Sequence, residues 1–226
     1  MEITFLQATV PLTKTFEKRP DGTISKSSYP NVYEVTTHRE TPRDMRDLEQ
    51  LIKAYAAKAY CLVKGNPTKD LHKQSRAGTT DSSATTDWVC FDIDGLPSTV
   101  PETFLAALSL SDVSYVIQYS ASYGIENKDL RCHIFMQLDK PMAAPLLKQW
   151  LIELNLTTPL LNSSIRLSKT GNALSWPLDI SACQNDKLLY ISPPTLKGLR
   201  DPLPKNGRVQ FVRKDKDTLT INHAIS

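Results

Sequence analysis

The sequence predicts an α+β or mixed α/β fold. Two long segments carry apolar residues at helical spacing. Several short runs rich in β-branched and aromatic residues read as strands. Neighbouring strands mix with intervening helices, the order expected of that class.

The elements follow in order. "ITFLQATV" and "NVYEVTT" read as strands, with "RPDGTI" between them offering a turn or an added hairpin. "TPRDMRDLEQLIKAYAAKA" is the clearest helix. Thr41 is the expected cap, Pro42 suits the first helical position and Asp44 closes a capping box. Met45, Leu48, Leu51, Ile52 and Tyr55 form its apolar stripe. "YCLVKG" reads as a buried strand ending at Gly65. Residues 65–86 carry few apolar side chains and read as a long polar loop, a length that points to function or disorder. A strand "WVCFDIDG" and a helix from about Pro101 to Leu110 come next. "VSYVIQYS" and "RCHIFMQL", joined by "ASYGIENKDL", look like a hairpin. "APLLKQWLIELN" is a helix with Leu146, Leu147, Trp150, Leu151 and Leu154 as its core face. "PLDIS", "KLLYISP" and "RVQFVR" are late strand candidates.

Composition bounds the function classes. The 226 residues are 40% hydrophobic and 23% charged, with a net charge of +3, an ordinary globular balance with no global basic signal. No apolar run approaches ~18 residues, which argues against a helical membrane span. The first ten residues lack the basic and apolar regions of a signal peptide, so a cytoplasmic location is expected. Cys61, Cys90, Cys132 and Cys183 are far apart, form no CxxC pair, and read as reduced, mostly buried thiols rather than zinc ligands.

The chemistry centres on "CFDIDG". Strand residues alternate faces, so Asp92 and Asp94 project from one face while Val89, Phe91 and Ile93 take the other. Their Cα atoms are ~6–7 Å apart, close enough for both carboxylates to grip one divalent cation or a pair of them. Oxygen ligands favour magnesium or manganese. The alternative is a pair of aspartates capping a turn into Gly95. In "RCHIFMQL", Cys132, Ile134, Met136 and Leu138 make an apolar face, and Arg131 and His133 point the other way. His133, near Ser120, Ser122 and Gly124, can donate hydrogen bonds to a phosphate; otherwise it is a half-exposed strand histidine. Asp179 in "WPLDIS" completes a three-carboxylate set or simply caps a strand end.

Together these pieces resemble the archaeo-eukaryotic primase superfamily, especially the primase-polymerases of phages and mobile elements. The ordered motifs are "CFDIDG", "SASYG" with "RCHIF", and "PLDIS", and "LVKGNPTKDLHKQSRAGTT" resembles the basic lead-in before DxD. The resemblance spans about residues 60–195. It implies an RRM-like catalytic sheet with a second α/β lobe, forming one catalytic domain over 1–215 with a polar tail or linker over 216–226. It also implies template-directed nucleotidyl transfer from (d)NTPs to a 3'-hydroxyl. Asp92, Asp94 and Asp179 would bind two Mg²⁺ or Mn²⁺ ions. His133 would contact nucleotide phosphates with help from Ser120 and Ser122, while Lys64 and Arg76 are further candidates for nucleotide or template contact. Tyr190 stands where related members often carry an arginine, and Lys187 is a substitute. Single-stranded DNA template, primer and a helicase domain or subunit are the implied partners, in a bacterial or phage-infected cell. No GxxxxGK[ST] string occurs, so no P-loop motor is expected within these residues. Two rival readings are a haloacid-dehalogenase-type phosphatase using Asp92 as nucleophile and Asp94 as acid/base, and a non-catalytic replication-initiator or nucleic-acid-binding module.

Overall fold

Alternation and helical spacing resolve into mixed α and β elements in a computed structural model, which describes residues 1–222. The first part comprises β1 (Ile3–Ala8), β2 (Thr15–Lys18), β3 (Ile24–Lys26), β4 (Glu34–Glu40), α1 (Met45–Ala57), β5 (Cys61–Val63) and β6 (Gln74–Ser75). The middle comprises β7 (Thr85–Leu96), α2 (Pro101–Ala107), β8 (Tyr115–Tyr119), β9 (Leu130–Ala143), α3 (Ala144–Thr157) and α4 (Pro159–Asn162). The last part has β10 (Arg166–Leu167), β11 (Leu174–Ser175), a 3₁₀ turn (Ile180–Cys183), β12 (Leu188–Tyr190), β13 (Thr195–Lys197) and β14 (Val209–Val212).

Two sheets organise the molecule. One has the order β12-β5-β1-β4-β6 and the other β14-β8-β9-β7. Both are antiparallel throughout. A small β13-β2-β3 sheet and the β10-β11 ribbon are added to them. The two faces of β7 enter different cores. Val89, Phe91 and Ile93 pack with Phe104 and Leu105 of α2 and with Leu147 and Leu151 of α3. Trp88 and Cys90, on the other face, join Leu48 and Ile52 of α1 with Ile3, Phe5 and Leu62 of the larger sheet. A third cluster, including Leu6, Val35 and Leu71, covers the far side of that larger sheet. No helix among the described residues is long and apolar enough to cross a membrane.

Several expectations are corrected. Helix α1 is capped by Asp44, whose carboxylate accepts from the Asp47 amide at 2.8 Å, so Thr41 and Pro42 lie outside it. On α3, Leu147 and Leu151 are buried but Leu146 faces solvent, because the core contacts a narrower stripe. The 65–86 segment is not a plain loop. Leu71 is buried against the larger sheet, exchanging hydrogen bonds with Thr37, and β6 pairs with β4. The expected tail is partly docked as well. Leu219 is buried and bridges Leu138, while Lys216 bridges Val113; residues 223–226 of that tail lie outside the described residues. All four cysteines are buried and free.

Candidate active site

One cavity of about 300 Å³ gathers most of the motif residues. Asp92, Asp94, Ser120, Ser122, His133 and Asp179 all line it. Lys14, Tyr29, Lys187, Leu188 and Tyr190 line it as well, so the cavity draws on both main sheets and on segments next to the small one.

The topology explains the convergence. β7 and β9 pair with Asp92 directly opposite His133 and Asp94 opposite Arg131. A one-residue slip would send these side chains to the helix-covered face, so the apolar alternation of both strands fixes the site. In the four-stranded sheet β7 is the edge strand. Its free edge receives the "PLDIS" segment, where Leu178 bridges Ile93 and the Asp179 amide donates to the Asp92 carbonyl at 2.9 Å. That short pairing draws the third carboxylate to the first. Residues 180–183 are not the expected strand continuation. The Asp179 carboxylate accepts from the Ser181 amide at 2.8 Å and turns the chain into the 3₁₀ segment. The turn-capping alternative and the cavity-lining one are therefore both realised by the same side chain.

Each carboxylate has its own basic partner. His133 Nε2 lies 3.4 Å from Asp92 Oδ1, Arg131 Nη1 contacts Asp94 Oδ1, and Lys187 Nζ lies 2.9 Å from Asp179 Oδ2. Burial pushes the Asp92 carboxyl up, but His133, and then Lys187, outweigh burial and hold it below the ordinary carboxylate range. Burial likewise opposes charge on Lys187, yet Asp179 first and Asp92 next hold its ammonium above the usual lysine range. Three basic side chains thus offset repulsion among the carboxylates without a bound metal.

His133 is buried, not half-exposed, and its orientation is fixed from behind. The Gln118 amide nitrogen donates to the carbonyls of Tyr119 at 2.7 Å and Ile191 at 3.3 Å. Its oxygen therefore faces His133 and accepts from Nδ1–H at 2.6 Å, leaving Nε2 toward Asp92 and the cavity. On the far wall Tyr29 stacks on Tyr190 with ring centres 4.0 Å apart, and Lys14 Nζ sits 5.0 Å from the Tyr29 ring centre. Burial and the neighbouring Tyr190 push the Tyr29 phenol up to about 12.

Lys64 and Arg76 do not line the cavity. Lys64 is 1% exposed, donates to Thr86 Oγ1 and lies with Nζ 4.5 Å from the Trp88 ring centre. Arg76 donates to the Asp186 carbonyl at 2.9 Å. Sequence reading did not single out Lys14, Tyr29 or Gln118, and it gave Arg131 no role. Arg131 was nonetheless legible as a cation on the His133 face; the others needed the tertiary arrangement.

The donor set fits a hard dication. Three carboxylates share one cavity and no thiol lines it. Among the described residues no three His, Cys, Asp or Glu side chains come together as a group that could hold a metal ion. The chain matches no protein-family model, and no significant match to it was found among curated proteins or solved structures.

Proposed function

We propose that this chain is a divalent-metal-dependent nucleotidyltransferase of the primase-polymerase type, acting on a primed single-stranded DNA template in a bacterial or phage-infected cell. The observation that carries the reading is convergence. Asp92, Asp94, His133 and Asp179, taken from three separated motifs, line one cavity together with Ser120 and Ser122. The succession β7-α2-β8-β9-α3, with β9 lying between β7 and β8, is the split β-α-β arrangement that an RRM-like unit contains and supports the reading; β14 joins the sheet beside β8, leaving β7 at the edge.

In this reading Asp92, Asp94 and Asp179 would hold Mg²⁺ or Mn²⁺. When bound, the ions supply a lowered pKa for the primer hydroxyl and neutralise the triphosphate. His133 presents Nε2 to a phosphate, held in that orientation by Gln118. Ser120 and Ser122 offer hydroxyl donors beside it, and Lys14 and Lys187 add positive charge across the cavity. The 3'-oxygen bonds to the α-phosphorus as the α–β phosphoanhydride bond breaks, the hydroxyl proton passes to solvent water, and pyrophosphate departs.

The test is incorporation of ribo- and deoxynucleotides on a primed template with Mg²⁺ or Mn²⁺. Template-directed extension that stops without metal is expected. Phosphate release from small phosphomonoesters without extension would favour the phosphatase reading. DNA binding with neither activity would favour the non-catalytic one.

A further inference from the structure

The Arg131–Asp94 pair has features beyond a simple cross-strand ion pair. The two residues stand directly opposite in the β7–β9 register, next to an irregularity between Asp94 and Leu96. Gly95 sits there with φ +95°, and a Cβ on it would come within 3.2 Å of Arg131 Nη2. The glycine of "DIDG" therefore serves two ends: it takes a left-handed conformation, and it leaves room for the guanidinium beside the backbone. Burial is unequal, with the Arg131 side chain 21% exposed and that of Asp94 77% exposed. The cation is the seated partner and the carboxylate the free one.

Arg131 also shares its face of β9 with His133, two residues on. With Arg131 included, Lys14, Lys187 and His133 make four basic groups around three carboxylates. That balance suits a site that receives both dications and a polyphosphate. Dications on the carboxylates leave the basic groups without partners, and phosphate oxygens are the anions that would replace them.

Building on the nucleotidyltransferase reading, we propose that Arg131 is an exchange residue. It neutralises Asp94 in the metal-free site and turns to a phosphate of the nucleotide once a divalent cation occupies Asp94. Arg131 would then oppose metal binding on its own and favour nucleotide binding in the presence of metal. These are opposite signs from one side chain. A pair with only a structural role would still oppose the metal by its charge but would leave nucleotide affinity unmoved.

The test is titration calorimetry on the full chain, with Mn²⁺ and with a deoxynucleoside triphosphate whose α,β-bridge cannot be cleaved. Arg131→Gln should bind Mn²⁺ alone about two- to fivefold more tightly, the scale of a partly exposed ion pair. With Mn²⁺ saturating, it should bind the analogue about tenfold or more weakly, the scale of a lost charge-assisted contact. Arg131→Lys keeps the charge and should show both effects at smaller size, which covers the case in which the glutamine variant does not fold. Unchanged or weaker Mn²⁺ binding, or unchanged binding of the analogue, would overturn the exchange. Asp92→Asn is the control for the underlying reading and should lose Mn²⁺ binding. A wild-type chain that binds no Mn²⁺ would sink that reading and the exchange with it. A wild-type chain that binds Mn²⁺ as Arg131→Gln does would sink the exchange alone.

Discussion

Trp88, Cys90, Asp92 and Asp94 alternate along one face of β7, yet the two ends of that face meet opposite surroundings. The first pair is sealed between α1 and the larger sheet; the second opens on the cavity. Each end holds basic groups, and their partners differ. Lys64 lies against Trp88 and makes no ion pair among the described residues, and burial pushes its ammonium down to about 8. Lys187, facing Asp179 and Asp92, is held above its usual range. A strand face is thus not a uniform environment. Burying a cation without an anion weakens its charge, while pairing it sustains that charge against partial burial. Core and chemistry can share one strand because the partners change along it.

The largest effects should come from removing the anions. Asp92→Asn or Asp94→Asn should lower nucleotide incorporation by ~100-fold or more, the scale seen when a single transition-state stabilising group is lost. Asp179→Ala should act in the same direction, and it also frees Lys187 and removes the cap on the 3₁₀ turn. Primer extension read alongside thermal melting separates the chemical loss from unfolding. Because each aspartate already has a basic partner, relief of repulsion should not raise the melting temperature. Incorporation at wild-type rate in either β7 variant would detach the carboxylate end from catalysis.

His133→Ala comes next. It should weaken nucleotide binding by about ten- to hundredfold while template binding changes little. Equal loss of both would mark His133 as a structural residue.

At the apolar end the prediction reverses sign. Lys64→Met should stabilise the protein at pH 7, by up to roughly 3 kcal/mol for a lysine whose folded value is near 8. The unfolded chain holds that proton more tightly. Wild-type stability should therefore rise as the pH goes from about 8 to about 10.5, and the variant should lack that rise. Melting curves across this range decide it, and a destabilised Lys64→Met at pH 7 would contradict the comparison.

The smallest effect lies on the acid side. Asp92 is depressed in the folded state, so its contribution is present above the ordinary carboxylate range, near pH 4. It is lost as the pH falls through the lower folded value. Asp92→Asn should flatten that part of the melting profile.

Part of this division was legible in the sequence. Period-two alternation in "WVCFDIDG" and "RCHIFMQL" set the two faces of each strand, with Asp92 and Asp94 on the polar face of one and His133 on the polar face of the other; the β7–β9 pairing that brings them together needed the tertiary arrangement. Helices α1 and α3 followed from their apolar spacing, although Leu146 fell outside the narrower buried stripe. Lys64 was offered as a nucleotide or template contact because it opens the basic lead-in, and only the tertiary arrangement puts it over Trp88 and outside the cavity lining. Asp179 was found by its motif, but its local form was not. The edge position of β7, which lets Leu178 pair with Ile93, is a property of strand order and leaves no mark on the local sequence. Tyr29 and Lys14 reach the site across long sequence separations, where residue patterns carry no information about contact; Gln118 stands opposite His133 in the expected hairpin, and only the register was missing.

The most direct test locates the cations. Crystals grown with Mn²⁺ and a non-cleavable deoxynucleoside triphosphate should show an anomalous manganese peak touching the Asp92 and Asp94 carboxylates, with the triphosphate beside His133. No peak at those carboxylates, or manganese bound only elsewhere on the molecule, would contradict the assignment of this end of β7 as a metal-dependent nucleotide site.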